Sequence, residues 1–144
     1  MLKVGLLGAG RIGTVHAKAI TAHAHSTLVA VSDVFEQNAT TLAAQYGCDV
    51  RSSDEIIADP TIDAVLIATS TDTHSELIEA ATSAGKAVLC EKPVDLSLAR
   101  ARQCLAHASA SGQPVMVGFN RRFDPSFGAL KTALDAGEIG RAEL

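Results

Sequence analysis

The 144 residues are enough for one domain with a substantial buried core. The net charge of −4, an aromatic content of 3% and the absence of tryptophan argue against nucleic acid or an anionic membrane as the main partner. No apolar run approaches the ~20 residues of a membrane-spanning helix, and the N-terminus resembles a strand and not a secretion signal. Three scattered cysteines predict small buried residues, not a disulfide framework or a CxxC metal site. We therefore expect a cytoplasmic protein.

Short runs rich in valine, isoleucine and leucine alternate with stretches of helical periodicity along the chain. In chain order the pattern predicts strands at residues 3–7, 27–32, 48–51, 64–68, 87–90 and 115–119. The intervening and following helices are predicted at residues 11–23, 36–46, 53–58, 74–84, 97–111 and 125–136. This alternation predicts parallel strands joined by right-handed crossovers. Six strands are the complement of a doubly wound Rossmann α/β domain, a mainly parallel sheet with helices on both faces.

A glycine-rich loop, Gly8-Ala9-Gly10-Arg11-Ile12-Gly13, joins the first strand to the first helix and fits G-x-G-x-x-G. The first glycine permits a tight turn, the second lets the backbone approach a pyrophosphate, and the third lets the helix pack close to the sheet. The helix N-terminus at Arg11 and Ile12 favours an anion through its free N–H groups and dipole. The alternative is a tight turn without a ligand.

An acidic residue, Asp33, ends the second strand 20 residues after Gly13, where a ribose-binding carboxylate is expected. A carboxylate accepts hydrogen bonds from ribose hydroxyls but repels a 2′-phosphate, and the next residues, Val34 and Phe35, supply no cation. The sequence therefore predicts NAD rather than NADP as the cofactor. Asp33 could also cap the following helix, which is compatible with ribose binding.

Polar residues follow the fourth strand, at the sheet edge where ligands of open α/β sheets bind. The candidates are Thr69, Ser70, Thr71 and His74. Their hydroxyls and the helix N-terminus could cap the helix, contact the cofactor, or do both.

Two further groups of polar residues follow the fifth and sixth strands. Glu91 and Lys92 leave a buried strand, where charges are costly unless they are paired or functional. Beside a cationic nicotinamide, a partly desolvated Lys92 would suit proton transfer, whereas the alternative is a surface Glu–Lys pair at a turn. Asn120 and Arg121 could bind a polyhydroxylated or anionic group or bridge to another domain. No two histidines and a carboxylate share a metal-binding face, so we expect no metal.

The segments GAGRIGTVHA, ATSTDTH, CEKP and VGFNRRFDP, together with Asp33 at its strand end, closely resemble the Gfo/Idh/MocA oxidoreductase family over essentially the whole chain. NRRFDP and GEIGRAEL are most similar to its inositol 2-dehydrogenase branch. The resemblance implies hydride transfer between NAD and a secondary alcohol of a cyclitol or sugar, with myo-inositol as the first candidate. Another sugar dehydrogenase, an NAD-using glycosidase of the family and a non-catalytic NAD-binding regulatory module remain alternatives.

The resemblance also implies roles for individual residues. Lys92 would contact the reacting hydroxyl and assist its deprotonation, residues 69–74 and Glu91 would line the cofactor site, and Asn120 and Arg121 would approach the nicotinamide and substrate. Residues 1–144 would be the dinucleotide-binding domain. A second α/β domain would follow, carrying the substrate floor, a catalytic aspartate and histidine, and the interface of a homotetramer or dimer. We therefore expect this chain alone to bind NAD but hardly to turn over substrate.

Overall fold

A computed structural model describes residues 1–143. Its strands are β1 (Leu2–Leu7), β2 (Ser26–Ser32), β3 (Asp49–Val50), β4 (Ala64–Ile67), β5 (Ala87–Cys90) and β6 (Val115–Val117). Its helices are α1 (Arg11–Ala22), α2 (Glu36–Tyr46), α3 (Ser53–Ala58), α4 (His74–Ser83), α5 (Leu98–Ser111) and α6 (Pro125–Asp135). The strands form one parallel sheet in the order β3-β2-β1-β4-β5-β6. The predicted doubly wound Rossmann fold is confirmed.

Both faces of the sheet are covered, which explains why its central strands are continuously apolar. Successive side chains of a strand point to opposite faces. In β4, Leu66 joins a buried cluster with residues of α1 and α2, whereas Val65 and Ile67 join a second cluster with residues of α3, α4 and α5. Cys90 and Cys104 are fully buried in the second cluster, as predicted for small apolar residues.

The boundaries of the elements differ from the prediction by at most two residues. The largest difference is at the end of β6, where the backbone turns. β6 ends at Val117 rather than at residue 119. The Phe119 N–H donates to the Val117 carbonyl at 2.7 Å, and the Asn120 N–H donates to the Gly118 carbonyl at 2.9 Å. A 3-10 turn, Asn120–Phe123, follows directly. A second 3-10 turn, Thr71–Thr73, precedes α4. Such three- and four-residue turns leave no periodicity that could be detected in the sequence.

The last helix, α6, differs from the five before it because none of its residues is buried. Its Phe127 side chain lies under the guanidinium of Arg121, 5.0 Å from the ring centroid. Among residues 1–143, no helix is both long and apolar enough to cross a membrane.

Candidate functional site

A cavity of about 540 Å³ opens where β1, β2 and β4 end. This is the carboxyl edge of the sheet, at the point where the strand order reverses, and such crevices bind ligands in open α/β folds. The volume is typical of small-molecule sites. The cavity is lined by Gly8, Gly10, Ser32, Asp33, Val34, Phe35, Asn38, Ser53, Ala68, Thr69, Ser70, Thr73, Glu76 and Leu77.

The three positions of the loop require glycine for different structural reasons. Gly8 has a φ of +98°, and a Cβ there would lie 2.5 Å from the Ala68 carbonyl oxygen. A Cβ at Gly13 would lie 2.0 Å from the carbonyl oxygen of Gly8. A Cβ at Gly10 would meet no protein atom within 4 Å. The packing of this chain therefore requires Gly8 and Gly13, whereas Gly10 leaves open space beside the cavity, as the approach of a pyrophosphate requires.

The N-terminus of α1 has no side-chain cap. Gly10 is its N-cap residue, and the first turn contains no acidic residue. By contrast, α3 begins with a complete capping box between Ser52 and Glu55. The first N–H groups of α1, at exposed Arg11 and Ile12, are thus left to solvent or to an anion.

Asp33 is held by the backbone with its carboxylate at the cavity. The N–H of Ala9 donates to Oδ2 at 2.7 Å, and the N–H of Phe35 donates to Oδ1 at 2.8 Å. Each carboxylate oxygen can accept a further hydrogen bond, so two ribose hydroxyls fit the remaining capacity. Val34 and Phe35 are mostly exposed at the rim and supply no cation for a 2′-phosphate.

The loop after β4 divides into residues that line the cavity and one that supports it. Thr69 and Ser70 line the cavity, and the Thr69 hydroxyl lies 2.7 Å from that of Thr73. His74, predicted beside the cofactor, is only 1% exposed and does not line the cavity. Its Nδ1 lies 2.7 Å from the Pro93 carbonyl oxygen, and its Nε2 lies 3.2 Å from that of Thr69. In this structure His74 thus supports the loops after β4 and β5, and its contact with the cofactor stays a prediction.

The start of α4 also holds the chain segment that follows Lys92. Besides the contact of His74 with Pro93, the Ser75 hydroxyl donates to the Val94 carbonyl at 3.2 Å and to the Asp95 carboxylate. The Lys92–Pro93 peptide bond is cis. Lys92 itself is exposed, and within residues 1–143 its ammonium makes no hydrogen bond.

Glu91 is more enclosed than its neighbour. Its Oε1 lies 2.9 Å from Nε2 of His16 on α1, and the side chains are 18% and 21% exposed. A Cβ on Gly118 would lie 3.2 Å from the Glu91 carboxylate. His16 was not among the predicted site residues, although its place one helical turn after Gly13 puts it on the same face of α1.

Asn120 and Arg121 are both exposed in the turn after β6. The Arg121 guanidinium is directed towards α6, over Phe127 and 4.0 Å from Oδ2 of Asp124.

The structure therefore collects part of the predicted site in one cavity. The predicted residues in its lining are Gly8, Gly10, Asp33, Val34, Thr69 and Ser70. The predicted residues outside its lining are Arg11, Ile12, Gly13, Thr71, His74, Glu91, Lys92, Asn120 and Arg121.

Several lining residues were missed by sequence reasoning. Ser32 and Phe35 flank Asp33 and could have been found from it. Asn38, Ser53 and Leu77 come from three different helices, so only the packing of those helices brings them to the cavity. Within residues 1–143 no group of three or more His, Cys, Asp or Glu side chains could hold a metal ion, and the metal-free site stays a prediction.

The sequence model of the Gfo/Idh/MocA oxidoreductase family, described as an NAD-binding Rossmann fold, matches residues 2–119. The chain belongs to this family. Both the predicted family and its NAD-binding domain are thereby confirmed. The match covers β1 to β6, including the glycine loop, Asp33 and Lys92.

Similar proteins of this family are named as inositol dehydrogenases. The chain is 54% identical over 143 residues to inositol 2-dehydrogenase of Rhizobium meliloti, covering 99% of this chain and 43% of that protein. A myo-inositol dehydrogenase structure from Corynebacterium glutamicum has a TM-score of 0.88 at 42% identity, covering 99% of this chain and 43% of that one. The scyllo-inositol dehydrogenase of Lactobacillus casei, solved with NAD(H) and scyllo-inositol, has a TM-score of 0.87 at 32% identity, covering 97% and 42%. The chain thus spans less than half the length of these relatives.

Proposed function

We propose that the protein to which this chain belongs is an NAD-dependent oxidoreductase that oxidises a secondary alcohol of a cyclitol or sugar, with myo-inositol as the first candidate. One observation carries the proposal: Asp33 with its spare acceptor capacity and Lys92 with its unpaired ammonium lie at the same sheet edge, on opposite sides of the glycine loop. The names of the inositol dehydrogenases at 54% and 42% identity support the substrate class.

The residues present fit a dinucleotide in one orientation. The uncapped turn of α1 beside Gly10 would hold the pyrophosphate, and Asp33 would accept hydrogen bonds from the adenosine ribose. Thr69 and Ser70 would border the cofactor from the β4 side. When bound, NAD supplies the hydride acceptor.

Lys92 is the residue of this chain that we assign to catalysis. Because β5 lies beyond β4 from the glycine loop, a cofactor whose adenosine lies at Asp33 extends its other half towards Lys92. The ammonium would donate a hydrogen bond to the reacting hydroxyl and stabilise the oxygen as its proton leaves. The contacts of α4 with residues 93–95 hold the segment that presents Lys92. Glu91, Asn120 and Arg121 complete the proposed nicotinamide side.

The remaining parts of the proposal concern the intact protein. We assign residues 1–144 to the dinucleotide-binding domain and place the histidine base, most substrate contacts and a homo-oligomer interface in a second α/β domain. The unpaired outer face of α6, with Phe127 and Leu130 about half exposed, supports contact with a further part of the protein. A cytoplasmic location agrees with three free cysteines.

Cofactor choice is tested on this chain by titration with NAD and NADP. We expect NAD to bind more tightly and Asp33→Ser to move the affinity ratio towards NADP by about tenfold, since one charge repulsion is removed. Asp135→Ser, on the exposed face of α6, is the matched control and should leave the ratio unchanged. An unchanged ratio in Asp33→Ser would exclude the role of Asp33.

Substrate and chemistry are tested on the intact protein by net NADH formation with myo-inositol. Net NADH formation from myo-inositol distinguishes an inositol dehydrogenase from an NAD-using glycosidase, which regenerates its cofactor, and from a binding module. Lys92→Ala should lower kcat by about 10²-fold or more while NAD affinity stays nearly constant. Near-normal turnover in this variant would remove Lys92 from the mechanism, and no NADH with any cyclitol or sugar would overturn the proposed function.

A further inference from the structure

A histidine–carboxylate pair joins the glycine-loop helix to the end of β5. His16 Nε2 on α1 lies 2.9 Å from Glu91 Oε1, although the two residues are 75 positions apart. An ionised carboxylate only accepts hydrogen bonds, so Nε2 must carry the proton that makes this contact. Both side chains are about four-fifths buried. The side-chain conformation of Glu91, which directly follows β5, is thus held by a residue of α1.

Two other groups enclose the same carboxylate. The backbone N–H of Lys92 donates to Glu91 Oε2 at 3.3 Å. On the β6 side, Gly118 leaves just enough room, because a Cβ at that position would lie 3.2 Å from three atoms of the carboxylate. Since contacts at 3.2 Å are tighter than ordinary packing, a Cβ at position 118 would require the Glu91 carboxylate to move by a few tenths of an ångström. The carboxylate is therefore held by His16 of α1 and by the backbone that follows β5, and Gly118 after β6 leaves the space that it occupies.

The position of this fixed charge relates it to the cofactor. Asp33 follows β2 and Glu91 follows β5, three strand spacings away across the sheet, or about 14 Å. A dinucleotide that lies over the glycine loop with its adenosine ribose at Asp33 directs its nicotinamide towards Glu91. The nicotinamide ring is cationic in NAD and neutral in NADH. A fixed carboxylate on that side stabilises the oxidised form in preference to the reduced form.

We propose that His16 is a positioning residue that holds the Glu91 carboxylate beside the nicotinamide, and that this pair favours the binding of oxidised NAD over NADH. The inference rests on the proposed function, because it requires the cofactor to bind in the orientation that Asp33 and Lys92 indicate. It adds a consequence that the proposed function does not contain: the charge of Glu91 shifts the ratio of the two affinities towards the oxidised cofactor.

The test is the ratio of the dissociation constants of NADH and NAD, measured by titration of this chain and three variants. Glu91→Gln keeps the shape of the side chain and one oxygen that can still accept from His16, and it removes the charge, so the ratio should shift towards NADH by about threefold or more. His16→Leu should shift the ratio in the same direction because the carboxylate loses its anchor. His16→Gln retains an N–H donor and should restore the ratio. His25→Leu, on the exposed end of the first crossover, should have no effect.

A second measurement reads the contact without the cofactor. In NMR of the unsubstituted chain, the Nε2–H proton of His16 should be shifted downfield by its hydrogen bond to Glu91, and Glu91→Leu should remove that shift. This measurement also keeps the inference testable if His16→Leu fails to fold. Binding of both cofactor forms with the ratio unchanged in Glu91→Gln would overturn this inference alone. If the unsubstituted chain binds neither form, the proposed function is overturned together with it.

Discussion

Two lysines at opposite ends of one strand have opposite surroundings. Lys86 directly precedes β5, is 5% exposed, and donates from Nζ to the carbonyl oxygens of Ile62, at 2.8 Å, and of Asp59. Lys92 follows β5 after one residue, is exposed, and has no hydrogen-bonded partner for its ammonium within residues 1–143. A buried charge needs hydrogen-bond partners within the protein, whereas an exposed charge without a partner remains available to a ligand. Lys86 therefore serves the fold, and Lys92 is the one that we assign to chemistry.

The same difference extends to the two edges of the sheet. At the amino edge, charged groups are used to satisfy the backbone: the Lys3 N–H donates to Asp63 at 2.7 Å, and the Thr61 N–H donates to Asp59 at 2.7 Å. At the carboxyl edge, α1 lacks a side-chain cap and the carboxylate of Asp33 has spare capacity. Substitutions at the amino edge should change stability, and most at the carboxyl edge should change binding or catalysis.

The largest expected effect is a loss of stability at Gly13, which lies at the carboxyl edge but is required by the packing of the chain. Gly13→Ala should destabilise the chain by about 3 kcal/mol, because its Cβ would lie 2.0 Å from the Gly8 carbonyl oxygen. Gly10→Ala is the matched control: it meets no protein atom and should weaken NAD binding while the urea midpoint changes little. Equal losses of stability in both variants would contradict the separate roles of the two glycines.

The two lysines themselves give the next largest effect. Lys86→Met should lower the free energy of unfolding by about 2 kcal/mol, because two carbonyl oxygens lose their buried partner. Lys92→Met makes the same chemical change beyond the other end of β5. It should leave the free energy of unfolding within about 0.5 kcal/mol of the unsubstituted value. Urea titrations of both variants measure the difference. Comparable destabilisation by the two substitutions would refute it.

A smaller effect is expected where the fold supports the carboxyl edge. His74→Leu removes the contacts with the carbonyl oxygens of Pro93 and Thr69 and should cost about 1 kcal/mol of stability. In the intact protein it should also lower kcat about tenfold, because the segment after Lys92 loses an anchor while Lys92 itself is unchanged. Steady-state kinetics and thermal unfolding measure both effects. Loss of stability with unchanged kcat would show that His74 supports the fold alone.

The smallest effect is a pH dependence at the amino edge. Hydrogen bonds from Thr61, and then the Arg51 guanidinium, lower the pKa of Asp59 to about 2. A lowered folded-state pKa contributes stability that is present above the unfolded value of about 4 and is lost as the pH falls through the folded value. The stability difference between the unsubstituted chain and Asp59→Asn should therefore shrink between pH 4 and pH 2. A difference that stays constant over this range in urea titrations would contradict the assignment.

The fold and the adenosine side of the site could be predicted because their signals are local. Strand and helix periodicity, the three glycines and Asp33 all lie within the first thirty-three residues or repeat in short windows along the chain. The fold and family that they indicated are confirmed. The individual binding and catalytic roles stay predictions. His74 was predicted beside the cofactor because its residue type and its place after β4 suggest this, but they do not reveal which way the ring points.

The sequence by itself determined the Rossmann topology, the position of the glycine loop and the position of the Asp33 carboxylate at the end of β2. Only the tertiary structure decided which of two lysines is buried, which histidine supports a loop, and that His16 holds Glu91. Periodicity records what each residue does within its own helix or strand. The contacts of His16 with Glu91 and of Lys86 with Ile62 join residues 75 and 24 positions apart, and these contacts exist only once the strands have paired and the helices have packed on them.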